Sequence, residues 1–167
     1  MVDMFPVLRV LGILIMIFAL TMGLPLSVSW FLRDGVWHIY PVAMAATLAV
    51  GCGLWWKLRL FRRELQPRHG VMLVTLVWVL LPLFAALPLM LVTHEIGRPM
   101  SFTHAYFEAV SGLTTTGSTV LTGLDALPVS MNVWRTFLQW VGGMGILILA
   151  VAVLPLLGVG GSQLFKA

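Results

Sequence analysis

Long apolar runs separated by short polar punctuation make up almost the whole chain. Four stretches lack Asp, Glu, Lys and Arg altogether: Val10 to Leu32, Gly35 to Trp56, Val71 to Val92 and Thr136 to Phe165. Each exceeds the roughly 20 helical residues needed to cross a hydrocarbon core of about 30 Å. The pattern predicts four membrane helices. The first run is too long for the apolar core of a signal peptide, and no convincing small-residue cleavage site follows it, so it reads as a span.

Between the third and fourth runs the pattern changes. Ser101 stands as an N-cap before a helix of about 13 residues ending near Leu113, too short to cross and of the length of a re-entrant segment. Phe102, Tyr106, Ala109, Val110 and Leu113 form its apolar stripe, while His104, Glu108 and Ser111 follow on another face. Gly112 weakens its end. Then comes Thr114-Thr115-Thr116-Gly117-Ser118-Thr119, hydroxyl-rich, uncharged and predicted to leave the membrane in extended form at about 3.3 Å per residue. Non-helical backbone at membrane depth persists only where protein or a water-filled path satisfies its polar groups.

Composition agrees with this layout: 60% of the residues are hydrophobic, 10% are charged and the mean hydropathy is +1.01. The net charge of +4 is distributed as a topology signal and not as a nucleic-acid-binding face. Lys57, Arg59, Arg62, Arg63 and Arg68, half of the ten Lys and Arg, lie in one connection. The excess of basic residues in cytoplasmic loops places that connection inside, with Arg9 and Lys166, and leaves Arg33, Arg98 and Arg135 outside. Both chain ends then face the cytoplasm. Gln66-Pro67 divides the chain into a leading helical pair, residues 1–66, and a helix–pore loop–helix repeat, residues 67–167.

Enzyme chemistry finds no foothold. Cys52 is the single cysteine and forms neither an intrachain disulfide nor a cysteine-based zinc cluster. His94-Glu95 opens like a zinc-protease motif, but the second histidine is missing. His104 and Ser111 lie about two turns apart, too far for a nucleophile–base pair. Gly158 to Gly161 follows no strand and makes no dinucleotide fingerprint. No cofactor is expected.

What the Thr-rich run suits is an ion. Hydroxyl side chains hold an extended backbone without adding charge, and Gly117 admits a positive φ, so that successive carbonyls face one axis. Stacked carbonyl oxygens replace the hydration shell of a bare cation, as in potassium-channel filters. The carboxyl end of the short helix, with about half a negative charge, points the same way. Thr114, Thr115, Thr116, Gly117, Ser118 and Thr119 are therefore the candidate selectivity filter, with potassium held by the backbone of Thr115, Thr116 and Gly117. Glu108 either draws cations or braces the loop by hydrogen bonding. Asp125 either concentrates cations at the mouth or is a solvated loop acid. Arg135 begins the last span at the outer interface, where snorkelling alone accounts for it. Gly142, Gly143 and Gly145 allow close helix packing.

The segment from Phe107 to Thr119, followed by the block from Trp134 to Ile146, closely resembles the TrkH branch of the TrkH/KtrB/HKT potassium-transport superfamily. The resemblance extends over most of the chain. It implies an all-α membrane protein: two leading transmembrane helices, then a helix, a re-entrant pore helix with its filter loop, and a second helix. It also implies potassium uptake across the bacterial inner membrane, a dimer of full-length subunits and a cytoplasmic nucleotide-binding regulatory ring as partner. In that family four such repeats on one chain surround a pore. A single Thr-Thr-Gly strand supplies one wall. The chain is thus expected to be a portion of a four-repeat subunit, as its ending suggests, with a homotetramer or a non-conducting docking subunit as the alternatives.

Overall fold

The computed structural model describes residues 4–60 and 67–153. Among them are six α-helices and a single 3₁₀ turn: α1 (Phe5–Thr21), α2 (Gly23–Leu32), α3 (Ile39–Leu58), α4 (Pro67–Glu95), α5 (Phe102–Leu113), the turn Leu124–Ala126, and α6 (Val129–Val153). Arg62, Arg63, Lys166 and the Gly158–Gly161 run lie outside the described residues.

Three helical stretches, Phe5–Leu32, Ile39–Leu58 and His69–Glu95, are long and apolar enough to cross a membrane. The first of the predicted spans is divided at Met22 into α1 and α2. Pro25 has no N–H to give the carbonyl of Thr21, and the Met22 N–H bonds to the Ala19 carbonyl at 3.1 Å, tightening the last turn of α1.

α1 and α3 cross at glycines. A Cβ on Gly12 would lie 3.0 Å from the Gly51 carbonyl oxygen, and one on Gly51 would lie 3.0 Å from that of Gly12. Small residues let two backbones approach where lipid supplies no hydrophobic drive between helices. Thr47, Thr75 and Thr93 return their hydroxyls to the carbonyls of Ala43, Val71 and Leu89 one turn back, which hides three polar groups inside apolar helices.

α4 contains Pro82 and Pro88. Each removes one N–H from the ladder and displaces the carbonyls behind it. Three residues before each proline, a carbonyl takes a side-chain donor from a neighbouring helix. The Tyr106 hydroxyl of α5 donates to Val79 at 3.0 Å, and the Trp134 indole N–H of α6 donates to Ala85 at 3.1 Å. Neighbouring helices thus re-satisfy backbone groups near the breaks.

The core is one buried cluster that crosses the boundary between residues 66 and 67. Phe18, Met22, Ile39, Tyr40 and Ala43 of the leading helices meet Ala85, Leu89, Ala109, Leu113, Trp134 and Leu138 of the following ones. Trp134 is fully buried, with its ring 5.7 Å from that of Phe18. This shared core fixes α6, and with it the loop that α6 supports.

Candidate functional site: a half-helix and its return loop

α5 begins where the sequence requires. Ser101 has extended backbone, and its hydroxyl accepts the N–H of His104 at 3.3 Å, as an N-cap does. Twelve residues later the helix ends in a reverse turn. The Thr116 N–H bonds the Ser111 carbonyl at 3.0 Å and the Thr115 N–H bonds that of Gly112 at 2.9 Å, the paired bonds of a Schellman motif. The left-handed position of that motif is normally glycine, but here it is Thr115, with φ of 58°. A β-branched residue in this region is strained by about 1–2 kcal/mol. The expected glycine conformation follows two residues later, at Gly117, with φ of 74°. The run therefore leaves the helix through this turn and carries a second positive φ at Gly117, a correction to the simple extended exit.

Gly112 does more than loosen the helix end: a Cβ there would lie 3.1 Å from the Leu138 Cβ. The three glycines of α6 separate in the structure. A Cβ on Gly142 would sit 1.8 Å from the Leu113 carbonyl oxygen, whereas at Gly143 and Gly145 the nearest atoms lie at 3.7 and 3.9 Å. Gly142 alone of the three is pressed against the backbone where α5 gives way to the loop.

The loop is held from behind by Glu108. This residue is buried. Its Oε1 accepts the Thr119 hydroxyl at 2.5 Å, the Val120 N–H at 2.6 Å and the Leu121 N–H at 3.4 Å. Its Oε2 accepts Nε of Arg135 at 3.2 Å, with the side chains of Glu108 and Arg135 only 3% and 15% exposed. Arg135 also donates to the Thr119 hydroxyl at 3.1 Å and to the Asn132 side-chain carbonyl at 3.4 Å. The Asn132 amide in turn bonds the Leu124 carbonyl at 2.8 Å. Burial of a carboxylate demands such a partner. Arg135 lies in the second turn of α6 and faces inward, so snorkelling to the interface does not account for it.

Ser111 takes the other side of the loop: its hydroxyl donates to the Ser118 carbonyl at 2.7 Å, and the Thr114 carbonyl accepts the Thr115 hydroxyl at 2.7 Å. Among the described residues, no hydrogen bond ends on the carbonyls of Thr115, Thr116, Gly117 or Thr119. Residues Thr114 to Val120 are exposed in this chain. His104 is also exposed and takes no part, although it shares a predicted face with Glu108 and Ser111. Asp125 sits in the 3₁₀ turn and is not among the hydrogen-bond partners of Glu108 or Arg135. The sequence reading did not anticipate the Glu108–Arg135 pair, Asn132 or the Ser111–Ser118 bond. One signal was present: a lone Glu and a lone Arg in otherwise apolar helices are expected to find each other.

A family model described as "Cation transport protein", TrkH, matches residues 41–167. The chain belongs to the TrkH family. The Trk system potassium uptake protein TrkH of Halomonas elongata is 47% identical over 160 residues, which is 96% of this chain and 33% of that protein. The corresponding TrkH of Escherichia coli K12 is 44% identical over 159 residues, 95% of this chain and 32% of that protein. The crystal structure of the potassium transporter TrkH from Vibrio parahaemolyticus superposes with a TM-score of 0.86 at 39% identity, covering 96% of this chain and 34% of that one. This TrkH-family chain spans about one third of the length of the relatives it matches. With three membrane-length helices among the described residues it is a multi-pass, all-α membrane protein, as the sequence led us to expect; the fourth expected span, Thr136 to Phe165, lies partly outside the described residues.

Proposed function

We propose that the chain contributes one wall of a potassium-conducting pore, with Thr114–Thr119 as its strand of the selectivity filter. The supporting observation is the division of labour in the loop. Glu108, Arg135 and Ser111 take up donors and one carbonyl from behind, while the carbonyls of Thr115, Thr116 and Gly117 accept no bond among the described residues. Carbonyls that are exposed, unengaged and fixed in place are what a dehydrated cation requires. The names of the relatives, potassium uptake proteins, agree with potassium as the transported ion. Glu108 and Arg135 act as a brace, and Asp125 is a mouth residue.

Because a filter needs carbonyls from about four directions, the chain acts as one part of a four-repeat subunit. The one-third coverage of its relatives supports this. The subunit works in the bacterial inner membrane with the amino terminus in the cytoplasm, as a dimer on a nucleotide-binding regulatory ring. Residues 1–66 serve as a leading pair and 67–167 as the pore repeat. The test is Gly117→Ser in the complete subunit. Loss of the positive-φ freedom distorts the wall and lowers potassium-over-sodium preference, while Thr119→Ser, which keeps the donor to Glu108, does much less. Rubidium uptake competed by sodium, normalised to protein in the membrane, reads both. Unaltered preference in a well-expressed Gly117→Ser protein refutes the assignment.

A further inference from the structure

The amino-terminal end of α6 lacks a cap of its own. Pro128 precedes it and offers no side-chain acceptor for the first N–H groups, which normally find one in the preceding Ser, Thr, Asp or Asn. The acceptor comes from 96 residues earlier: Asp34, in the connection between α2 and α3, takes the N–H of Ser130 on Oδ2 at 3.0 Å. Asp34 is itself fixed. Its Oδ1 accepts the Ser29 hydroxyl and, at 3.4 Å, the Val36 N–H. The Tyr40 hydroxyl of α3 donates to Ser130 Oγ at 2.8 Å. Ser29, Ser130 and Tyr40 are all buried. A carboxylate at a helix N-terminus also meets the positive end of the helix dipole.

Five residues beyond Ser130 on the same helix stands Arg135, whose Nε holds Glu108, which holds Thr119 to Leu121. A helix couples rotation to rise, about 100° and 1.5 Å per residue. A contact that sets the start of α6 therefore sets the height and direction of Arg135.

We propose that Asp34 is a positioning residue for the ion-selective loop: by capping α6 from the leading helical pair it fixes Arg135 and, through Glu108, the outgoing limb of the filter strand. This gives the leading pair a role in selectivity, beyond membrane anchoring. The inference rests on Thr114–Thr119 being the filter, so its test runs beside the Gly117→Ser control.

In the complete subunit, Asp34→Ala lowers potassium-over-sodium preference by about fivefold, the size of a lost helix cap expressed as an equilibrium. Asp34→Asn, which keeps an acceptor without the charge, lowers it less. The combination of Asp34→Ala with Arg135→Lys shifts preference by less than the product of the single effects, because both act on one element. Preference is measured per molecule in the membrane, which a purely structural cap would leave unchanged while lowering abundance. If Asp34→Ala fails to accumulate, Asp34→Asn decides the matter in the same assay. Unchanged preference in these variants, with Gly117→Ser shifted, overturns the role of Asp34 alone. Unchanged preference in Gly117→Ser removes the filter reading, and this inference with it.

Discussion

Gly142→Ala adds one methyl group at the tightest backbone approach between α5 and α6. The new Cβ would lie 1.8, 2.5 and 2.8 Å from O, C and Cα of Leu113. All three are main-chain atoms, so no rotamer change relieves the clash. Reaching ordinary contact at 3.4 Å requires the helices to open by about 1.6 Å at that point. Overpacking a close-packed interior costs roughly 1–3 kcal/mol when side chains can shift; here the cost reaches or exceeds the upper end, more than a hundredfold in the folding equilibrium. The displaced atoms lead directly into Thr114, so protein that still assembles carries a misplaced loop. Gly143→Ala and Gly145→Ala meet only ordinary contacts and serve as matched controls. The assay is thermal unfolding of the detergent-purified complete subunit, followed by size-exclusion chromatography, together with rubidium uptake per molecule. A Gly142→Ala protein as stable and active as the Gly143→Ala protein would refute the packing assignment.

Arg135→Met leaves Glu108 buried without its cation and costs roughly 3–5 kcal/mol; adding Glu108→Gln recovers part of that loss, which a melting curve of the three proteins checks. Burial disfavours the charge on Asp34, but hydrogen bonds from Ser130, Ser29 and Val36 outweigh it and hold the carboxyl below its ordinary value of 3.8. Its contribution to stability is therefore complete above that value and is lost as pH falls through the lowered one. The stability gap between wild type and Asp34→Asn should stay constant from pH 7 to 5 and close only in stronger acid. A gap that closes near neutrality contradicts the assignment. For topology, single cysteines at Arg62 and Asp125 in a Cys52→Ser background should react oppositely with a membrane-impermeant thiol reagent on intact cells. Labelling at 125 and not at 62 is expected, and the reverse overturns the orientation.

Helix existence was legible because each span is one long uncharged run, and α5 because Ser101 and the Thr-rich exit bracket a segment too short to cross. What the pattern did not reveal arises from pairing across the sequence. Glu108 and Arg135 are 27 residues apart, and periodicity along either helix says only which face each occupies. Thr115 in a left-handed conformation contradicts its local preference, so propensity pointed to Gly117. Gly142 was indistinguishable from Gly143 and Gly145 until the helix crossing selected one of them. The division of the first span at Met22 follows from Pro25, which an uninterrupted apolar run conceals. Asp34 was missed for another reason: a loop acid beside Gly35 looks like ordinary turn chemistry, and its partner begins a different helix.

The two prolines of α4 have a bearing on biogenesis. As α4 enters the bilayer by itself, its ladder is interrupted twice, and the donors that reach Val79 and Ala85 have not yet been synthesised: one is on α5, the other on α6. The prolines take the usual N–H donors from the carbonyls of Trp78 and Phe84, next to these two, and in hydrocarbon an unsatisfied carbonyl costs several kcal/mol, so α4 should gain stability in the bilayer once the donors of α5 and α6 have emerged beside the breaks. The half-helix α5 cannot span by itself either. Settling of α4 in the lipid is therefore expected to be complete only when α6 arrives.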